Sequence, residues 1–244
     1  MAEPEVLSRR DVIALGAALR GAAEGASSME EVAQRIVHHL YSSLRHRETG
    51  EPFGALIRLF KTHPFQHLPP SLQSYALRLA GDEPLAPETR CLTLLATAGE
   101  DPAWNARQTS AGHQAIPLMS EEMVLQSPMI AQLFLQFGIE PRQIVASDKR
   151  LVLHSHYDSY NIFHVPVAAE SPFVPAQDTF VQPFQIASVV GFGGPLTEGD
   201  LFAIILFSKA PLNLETASLF SSIALSAKLA LLSAHQTAIF APED

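Results

Sequence analysis

The chain has 244 residues, 47% of them hydrophobic and 17% charged, so it can bury a core and is too apolar to be disordered. Its 25 acidic and 16 basic side chains give a formal net charge of -9, and the basic residues are scattered, which argues against nucleic acid as a partner. Cys91 is the only cysteine, which excludes an internal disulfide and a cysteine-based zinc site and favours a cytoplasmic location.

The first element along the chain is predicted to be a helix that begins after Ser8. Ser8 and Asp11 match the Ser-x-x-Asp form of a capping box, and apolar residues recur at helical spacing from Val12 to Leu19. The paired arginines inside that box, followed by the apolar run, also resemble a twin-arginine export signal, so this alternative stays open. No other stretch is judged long and apolar enough to cross a bilayer, and no membrane partner is expected.

A second helix is predicted to follow closely. Ser28 and Glu31 form another capping-box pattern, and an apolar stripe at helical spacing continues from there to Leu44. Residues 1–50 are therefore predicted to be N-terminal helices.

Two strands with a short helix between them are predicted next. The first strand runs from Phe53 to Phe60, with Arg58 pointing from one of its faces. The helix covers Leu72 to Leu79 and ends at Gly81, and the second strand covers Cys91 to Thr97. The other face of the first strand is predicted to carry four apolar residues: Phe53, Ala55, Ile57 and Leu59.

The middle of the chain is more irregular. Ser127-Pro128 is a helix-start pattern, and Gly138 is placed to end that helix. Residues Leu151 to Tyr157 and Asn161 to Val167 are predicted to be β structure. The following loop, Ala168 to Pro183, is long and carries three prolines, which is typical of a functional or moving loop.

The carboxyl-terminal third has the strongest pattern. Two apolar strands, Ile186 to Phe192 and Leu201 to Ser208, flank a turn sequence and are predicted to pair as an antiparallel hairpin. The second of these strands is apolar on both faces, which indicates a central strand. Asn213 is predicted to cap a closing helix whose apolar surface exceeds one stripe, and this surplus predicts an intermolecular contact.

Three segments of this ending, Gln185 to Leu196, Gly199 to Ser208 and Glu215 to Leu232, resemble the end of the GAF domain family. The resemblance implies an α+β fold with a central antiparallel sheet of five or six strands. It also implies terminal helices packed on one face of the sheet and a pocket on the other. One domain is expected, in which the helices of residues 1–50 pack with the closing helix and residues 51–244 form the remainder.

The same resemblance implies a non-catalytic sensory or regulatory module in signal transduction. Such a module binds a small ligand or a partner protein, and it pairs as a homodimer through its terminal helices. No kinase, cyclase or DNA-binding segment fits after Leu232, so output is expected to pass to a signalling partner or to another part of the protein. Cys91 precedes Leu92 rather than a histidine, so no covalent bilin is expected, and no cofactor is assigned.

Aromatic and histidine side chains near the long loop are candidates for a ligand pocket, because they can enclose a small apolar or aromatic molecule. Plain core packing is the competing interpretation for each of them. The candidates are Phe134, His156, Tyr160, Phe163, His164, Phe173 and Phe180.

Two alternatives to this function stay open. His154 and His156 share a face of a predicted strand, and with His164 they could serve a haem- or metal-dependent sensor or enzyme. The second alternative is an interaction scaffold whose pocket is filled by side chains. The sequence has no Gly-x-Ser-x-Gly elbow, no Walker loop and no Gly-x-Gly-x-x-Gly turn, so an enzyme is not expected.

For the single cysteine and for two further histidines, a structural interpretation is preferred to a functional one. Cys91 begins a strand, where a buried cysteine behaves as a small hydrophobe, although a redox-active thiol is the alternative. His63 and His67 have no obvious acidic neighbour to orient them for acid–base chemistry, so no role is assigned to either.

Overall fold

The computed structural model describes residues 7–46, 49–110, 112–145, 162–196, 199–234 and 238–242. Within this part of the chain, six strands form one sheet in the order β3-β2-β1-β6-β5-β4, and every pair of neighbours is antiparallel. The strands are β1 Gly54–Pro64, β2 Arg90–Gly99, β3 Ala115–Pro117, β4 Phe163–Val165, β5 Ser188–Pro195 and β6 Leu201–Ser208.

The described helices precede, interrupt and follow these strands. The α-helices are α1 Arg9–Arg20, α2 Met29–Ser43, α3 Pro70–Ala80, α4 Glu121–Leu125, α5 Pro128–Gln136, α6 Pro141–Val145, α7 Leu214–Ser218 and α8 Phe220–Ser233. A π-helical turn, Gln177–Val181, lies in the long loop before β5.

The two N-terminal helices begin where their capping patterns predict. Ser8 and Asp11 exchange both bonds of a capping box, since each backbone N–H donates to the other's side chain. Ser28 Oγ accepts from the Glu31 backbone N–H at 3.1 Å. The reciprocal bond predicted there is absent, because the Glu31 carboxylate accepts from Ser27 instead.

The predicted hairpin at the carboxyl end is confirmed. β5 and β6 pair from Ser188 opposite Ser208 to Pro195 opposite Leu201. β6 also pairs with β1 on its other side, and all of its residues are buried. Covering on both faces explains why this strand is apolar throughout rather than alternating.

The prediction for one face of β1 is wrong at a single residue. The pairing of β1 with β6 shifts between Gly54 and Leu56, so Ala55 is the extra residue of a bulge. Ala55 consequently packs with Leu56 and Phe60 on the opposite side from its predicted companions. A bulge depends on the partner strand, so alternation along β1 alone does not reveal it.

Two cores lie on the two faces of the sheet, whereas the GAF resemblance implies helices on one face and a pocket on the other. The helix-side core is covered by the terminal helices α1, α2 and α8, and its fully buried members include Leu19, Ile36, Leu40, Phe53, Ile57, Leu59, Phe192, Phe202 and Phe220. The far-side core includes residues of α5 and of the long loop, and its members include Leu56, Phe60, Leu94, Leu133, Phe134, Phe137, Phe163, Val189, Ile205 and Phe207.

The terminal helices pack closely on each other. A Cβ added at Gly16 of α1 would lie 2.8 Å from Ser226 Oγ of α8, so glycine permits this approach. Arg20 Nη1 also donates to Ser226 Oγ at 3.2 Å. The predicted arrangement of terminal helices on one face of an antiparallel sheet is therefore confirmed.

One expectation about membranes needs correction. The continuous helical segment Leu214–Ser233 has a mean hydropathy of 1.4, which is apolar enough to cross a bilayer for its length of 20 residues. Within that window 44% is buried inside the protein. Packing of α8 against α1 and β5 explains this apolar composition as that of a core helix.

Two predicted elements in the middle differ in their outcome. The predicted strand Leu151 to Tyr157 lies outside the described residues. The one predicted at Asn161 to Val167 is present as the shorter β4, which pairs with β5. The helix predicted after Ser127 is confirmed, and Gly138 follows it with a φ of 70°.

Candidate functional site

The described members of the predicted pocket lie in different environments. Phe134 and Phe163 are fully buried and both belong to the far-side core. Phe173 is 36% exposed at the surface of the long loop. His156 and Tyr160 lie outside the described residues, so a pocket formed by the whole set stays a prediction.

Of the three proposed histidine ligands, the structure describes His164 alone. His164 is half-buried, and its Nε2 lies 2.7 Å from the Leu212 carbonyl oxygen, so that nitrogen is occupied by a hydrogen bond. His154 and His156 fall outside the described residues. Among the residues that are described, no three His, Cys, Asp or Glu side chains could hold a metal ion together. A metal or haem site stays a prediction.

Phe180 belongs to an aromatic cluster on the far side of the sheet. We call this set of residues the aromatic cluster, and it consists of Trp104, Phe180, Phe184 and Phe207. The ring centroids of Trp104 and Phe184 are 4.4 Å apart, and those of Phe180 and Phe207 are 5.0 Å apart. A Cβ at Gly99 would lie 2.8 Å from the Trp104 ring, so glycine allows the indole to lie on β2.

Arg58 lies in the middle of β1 on the far-side face. It is directly opposite Ile205 of the far-side core on one neighbouring strand and opposite Thr97 on the other. One guanidinium nitrogen, Nη2, donates to Ser110 Oγ at 2.9 Å, while the buried Nε has no hydrogen-bond partner. No carboxylate of the described residues lies within ion-pair distance, and burial lowers the pKa of Arg58.

Further polar groups surround Arg58. Thr97 is fully buried and its hydroxyl also has no hydrogen-bond partner. The Tyr75 hydroxyl accepts from the His113 backbone N–H at 2.9 Å at the exposed rim. Partial burial of the His113 ring and then the charge of Arg58 lower the pKa of His113. We call the set of Arg58, Thr97, Ser110, Tyr75 and His113 the Arg58 site.

The Arg58 site and the aromatic cluster are adjacent. Leu56 precedes Arg58 by two positions on β1 and shares its face, since successive side chains of a strand alternate. Leu56 is opposite Gly99, on which Trp104 lies, and opposite Phe207. In the part of the chain that the structure describes, the aromatic cluster thus lies next to Arg58 on the far side of the sheet.

A second polar cluster lies at the other end of β1, and we call it the Asp200 cluster. The Asp200 carboxylate accepts from Lys61 Nζ at 2.6 Å and also pairs with Arg90. The Lys61 and Arg90 side chains are 5% and 6% exposed, so their charges are compensated out of contact with bulk water. This cluster ties β1 and β2 to the segment that enters β6.

His63 and Cys91 face each other across β1 and β2 beside the Asp200 cluster. Burial raises the pKa of the Cys91 thiol to about 12, which keeps it protonated and agrees with its interpretation as a small hydrophobe. Neither ring nitrogen of His63 has a hydrogen-bond partner. Burial, followed by the charge of Lys61, lowers the pKa of His63 well below its usual range, and the Lys61 backbone opposes this only in part.

Sequence reasoning missed most of the Arg58 site. Arg58 was placed correctly on the face opposite Ile57 and Leu59, but no role was inferred for it. The available signal was a lone arginine inside a strand that is otherwise apolar from Gly54 to Phe60. Its partner Ser110 is 52 residues away, and no local pattern connects the two.

A scan against protein-family models and a search of curated proteins both find no match. Among solved structures, the chain is similar to the phycoerythrobilin-bound GAF domain of a cyanobacterial phytochrome, with a TM-score of 0.45 and 9% identity over 94% of this chain and 97% of that one. It is also similar to a far-red-absorbing dark state with bound biliverdin IXα, with a TM-score of 0.42 and 9% identity over 92% and 98% of the two chains. The GAF-like architecture itself is seen in the strand order and in the terminal helices on one face.

Proposed function

We propose that this GAF-like chain is a non-catalytic sensory or regulatory module that binds a small molecule on the sheet face opposite the terminal helices. The observation that carries the proposal is Arg58. Its guanidinium lies in an apolar face with no carboxylate of the described residues beside it, and its Nε has no partner. A bound molecule would supply the missing acceptor.

The energetics favour binding over folding as the reason for this arginine. Burying a charge or a hydroxyl without a partner costs free energy, and the cost is larger for an ion than for a hydroxyl. A leucine or methionine at Arg58 would extend the far-side core without that cost. Thr97 repeats the pattern beside it, because its buried hydroxyl is also unpaired.

The chemistry of the one buried thiol supports a non-catalytic role. Cys91 faces His63, an arrangement that in other proteins can create a nucleophile. Here the pKa of about 12 keeps the Cys91 thiol protonated, and a thiol is a much weaker nucleophile than a thiolate.

Native mass spectrometry of freshly purified protein, combined with a thermal-shift panel of small molecules, tests the proposal. We expect a bound molecule or a stabilising ligand whose effect is lost in Arg58→Met and kept in a matched surface variant, Arg142→Gln, which removes a 68% exposed arginine side chain. Steady turnover of a substrate that a single polar substitution abolishes would instead identify an enzyme. The absence of any bound or stabilising molecule would favour an interaction scaffold.

We also propose that two copies of the chain pair through α1 and α8, and that a signalling partner in the cytoplasm receives the output. Large apolar side chains on these packed helices face solvent: Ile13 is 72% exposed, Leu225 43% and Leu229 45%. Sedimentation velocity checks the pairing. Leu225→Glu with Leu229→Glu should give monomers, whereas Leu77→Glu on α3, at a site 46% exposed, should not. A monomeric parent protein would contradict the dimer.

A further inference from the structure

We infer that the ligand is a compact aryl carboxylate, whose carboxylate pairs with Arg58 and whose ring packs on the aromatic cluster. This inference rests on the proposed function, since it names the chemical class that the same site accepts. Nothing in the similarity to other proteins contributes to it.

The excess of hydrogen-bond donors over acceptors at the Arg58 site argues for an anionic ligand. Ser110 Oγ accepts from Arg58 Nη2, so its own O–H is free to donate onward. Arg58 Nε–H and the Thr97 hydroxyl are likewise without partners, and both are buried in this structure, so a ligand reaches them only when the surrounding side chains move apart. Donors therefore outnumber acceptors at this point of the sheet, and an acceptor-only group such as a carboxylate can receive several of these bonds at once.

The charges around Arg58 argue for a ligand that carries a single negative charge. Tyr75 and His113 are ionisable neighbours that interact with Arg58, and no carboxylate of the described residues pairs with it. His113 is neutral near pH 7, because its pKa is lowered below the usual value of 6.5. One guanidinium therefore acts alone, which matches a monovalent carboxylate better than a doubly charged phosphate.

The neighbouring surface argues for a flat apolar body. Residues on one face of a strand are about 7 Å apart, so the position of Leu56 puts the aromatic cluster within reach of a short molecule anchored at Arg58. Trp104, Phe180 and Phe184 are only partly buried and can still accept ring contacts. A one- or two-ring aryl acid spans both features, whereas a long-chain acid would extend beyond them.

The test compares isosteric probes by isothermal titration calorimetry. Indole-3-acetate is measured against indole-3-acetamide, which has the same shape without the charge, and phenyl phosphate is the oxyanion control. We expect the acetate to bind at least tenfold more tightly than the amide. Arg58→Gln should abolish that preference, Thr97→Val should weaken acetate binding, and Arg142→Gln should change neither.

The outcomes separate this inference from the proposed function. Equal binding of acetate and amide that Arg58→Gln leaves unchanged but Trp104→Ala weakens would overturn the carboxylate and keep a ligand module. Tighter binding of phenyl phosphate would also overturn the carboxylate class. If no probe binds, the outcome depends on the molecule that stays bound through purification. An aryl acid would support the inference, and a molecule of another class would overturn it. The absence of any bound molecule would overturn both proposals. Circular dichroism of Arg58→Gln establishes that the variant is folded.

Discussion

β1 carries two cations that face opposite sides of the sheet: Lys61 is buried, whereas Arg58 is half-buried with its Nε out of contact with solvent. Lys61 lies opposite Phe202 of the helix-side core, and together with Arg90 it reaches the Asp200 carboxylate. Arg58 lies opposite Ile205 of the far-side core and has only Ser110. A cation that stabilises the fold is paired with a carboxylate of the protein, whereas a cation without such a carboxylate can pair with a ligand.

The largest expected effect comes from breaking the compensated cluster. Asp200→Ala removes the carboxylate shared by Lys61 and Arg90 and leaves two cations with little exposure to water. We expect a loss of roughly 3 to 5 kcal/mol in the free energy of unfolding, measured by urea denaturation. Glu100→Ala is the control, because its pair with Lys209 is about one third exposed and should contribute less than about 1 kcal/mol. Equal losses of unfolding free energy in the two variants would show that the buried cluster contributes no more than the exposed ion pair.

A gain in stability is expected when the uncompensated cation is replaced. Arg58→Met replaces a half-buried, partly unpaired guanidinium with an apolar side chain of similar length, so stability should rise by roughly 1 kcal/mol while ligand binding is lost. Thermal unfolding and calorimetric titration on the same preparation measure both effects. A destabilised Arg58→Met protein would show that Arg58 serves the fold instead.

His63 provides a pH test of the compensated side. In the unfolded chain its pKa returns to about 6.5, so below that pH the unfolded state binds a proton that the folded state excludes. Stability should therefore fall as the pH decreases from about 6.5, by roughly 1 kcal/mol over the first unit. Protonation in the folded state would add a charge beside Lys61, Arg90 and His67, all of which oppose it.

The control for this pH dependence is a comparison between variants. His63→Leu should lack this part of the slope, while the contributions of the other titrating groups stay in both proteins. Parallel stability curves for the parent chain and His63→Leu between pH 5 and 7 would contradict the assignment to His63.

The smallest effect is expected beside Arg58. Thr97→Val removes a buried hydroxyl that has no partner and keeps the side-chain shape, so stability should change by less than about 0.5 kcal/mol or rise slightly. Denaturation midpoints measure this change. Thr93→Val is the matched control on β2, since that hydroxyl donates to the Cys91 carbonyl at 3.2 Å and its loss should destabilise the protein. A large loss in Thr97→Val would indicate a hydrogen bond that the free protein depends on.

Much of the fold was predictable because its signals are local. The Ser8 capping box, the central character of β6 and its hairpin with β5 all follow from residues close together in the chain. The error at Ala55 has the opposite cause, because a bulge is set by pairing with the distant strand β6 and not by alternation along β1.

The candidate site was much less predictable. Phe180 was a candidate for the pocket and lies in the aromatic cluster, whereas Trp104, which contacts it, was not a candidate. Phe134 and Phe163 were candidates for a pocket and pack in the far-side core, because an aromatic pattern does not reveal which neighbours fill the space around a ring.

The sequence by itself determined the class of this protein: an α+β chain with terminal helices and an antiparallel hairpin near its end. Only the tertiary structure decided which charges are compensated. Asp200 reaches Lys61 across 139 residues, and Arg58 finds Ser110 but no carboxylate among the described residues. Hydrophobic periodicity specifies which face of an element is buried, whereas the partners of a buried charge depend on strand register and on contacts between distant segments.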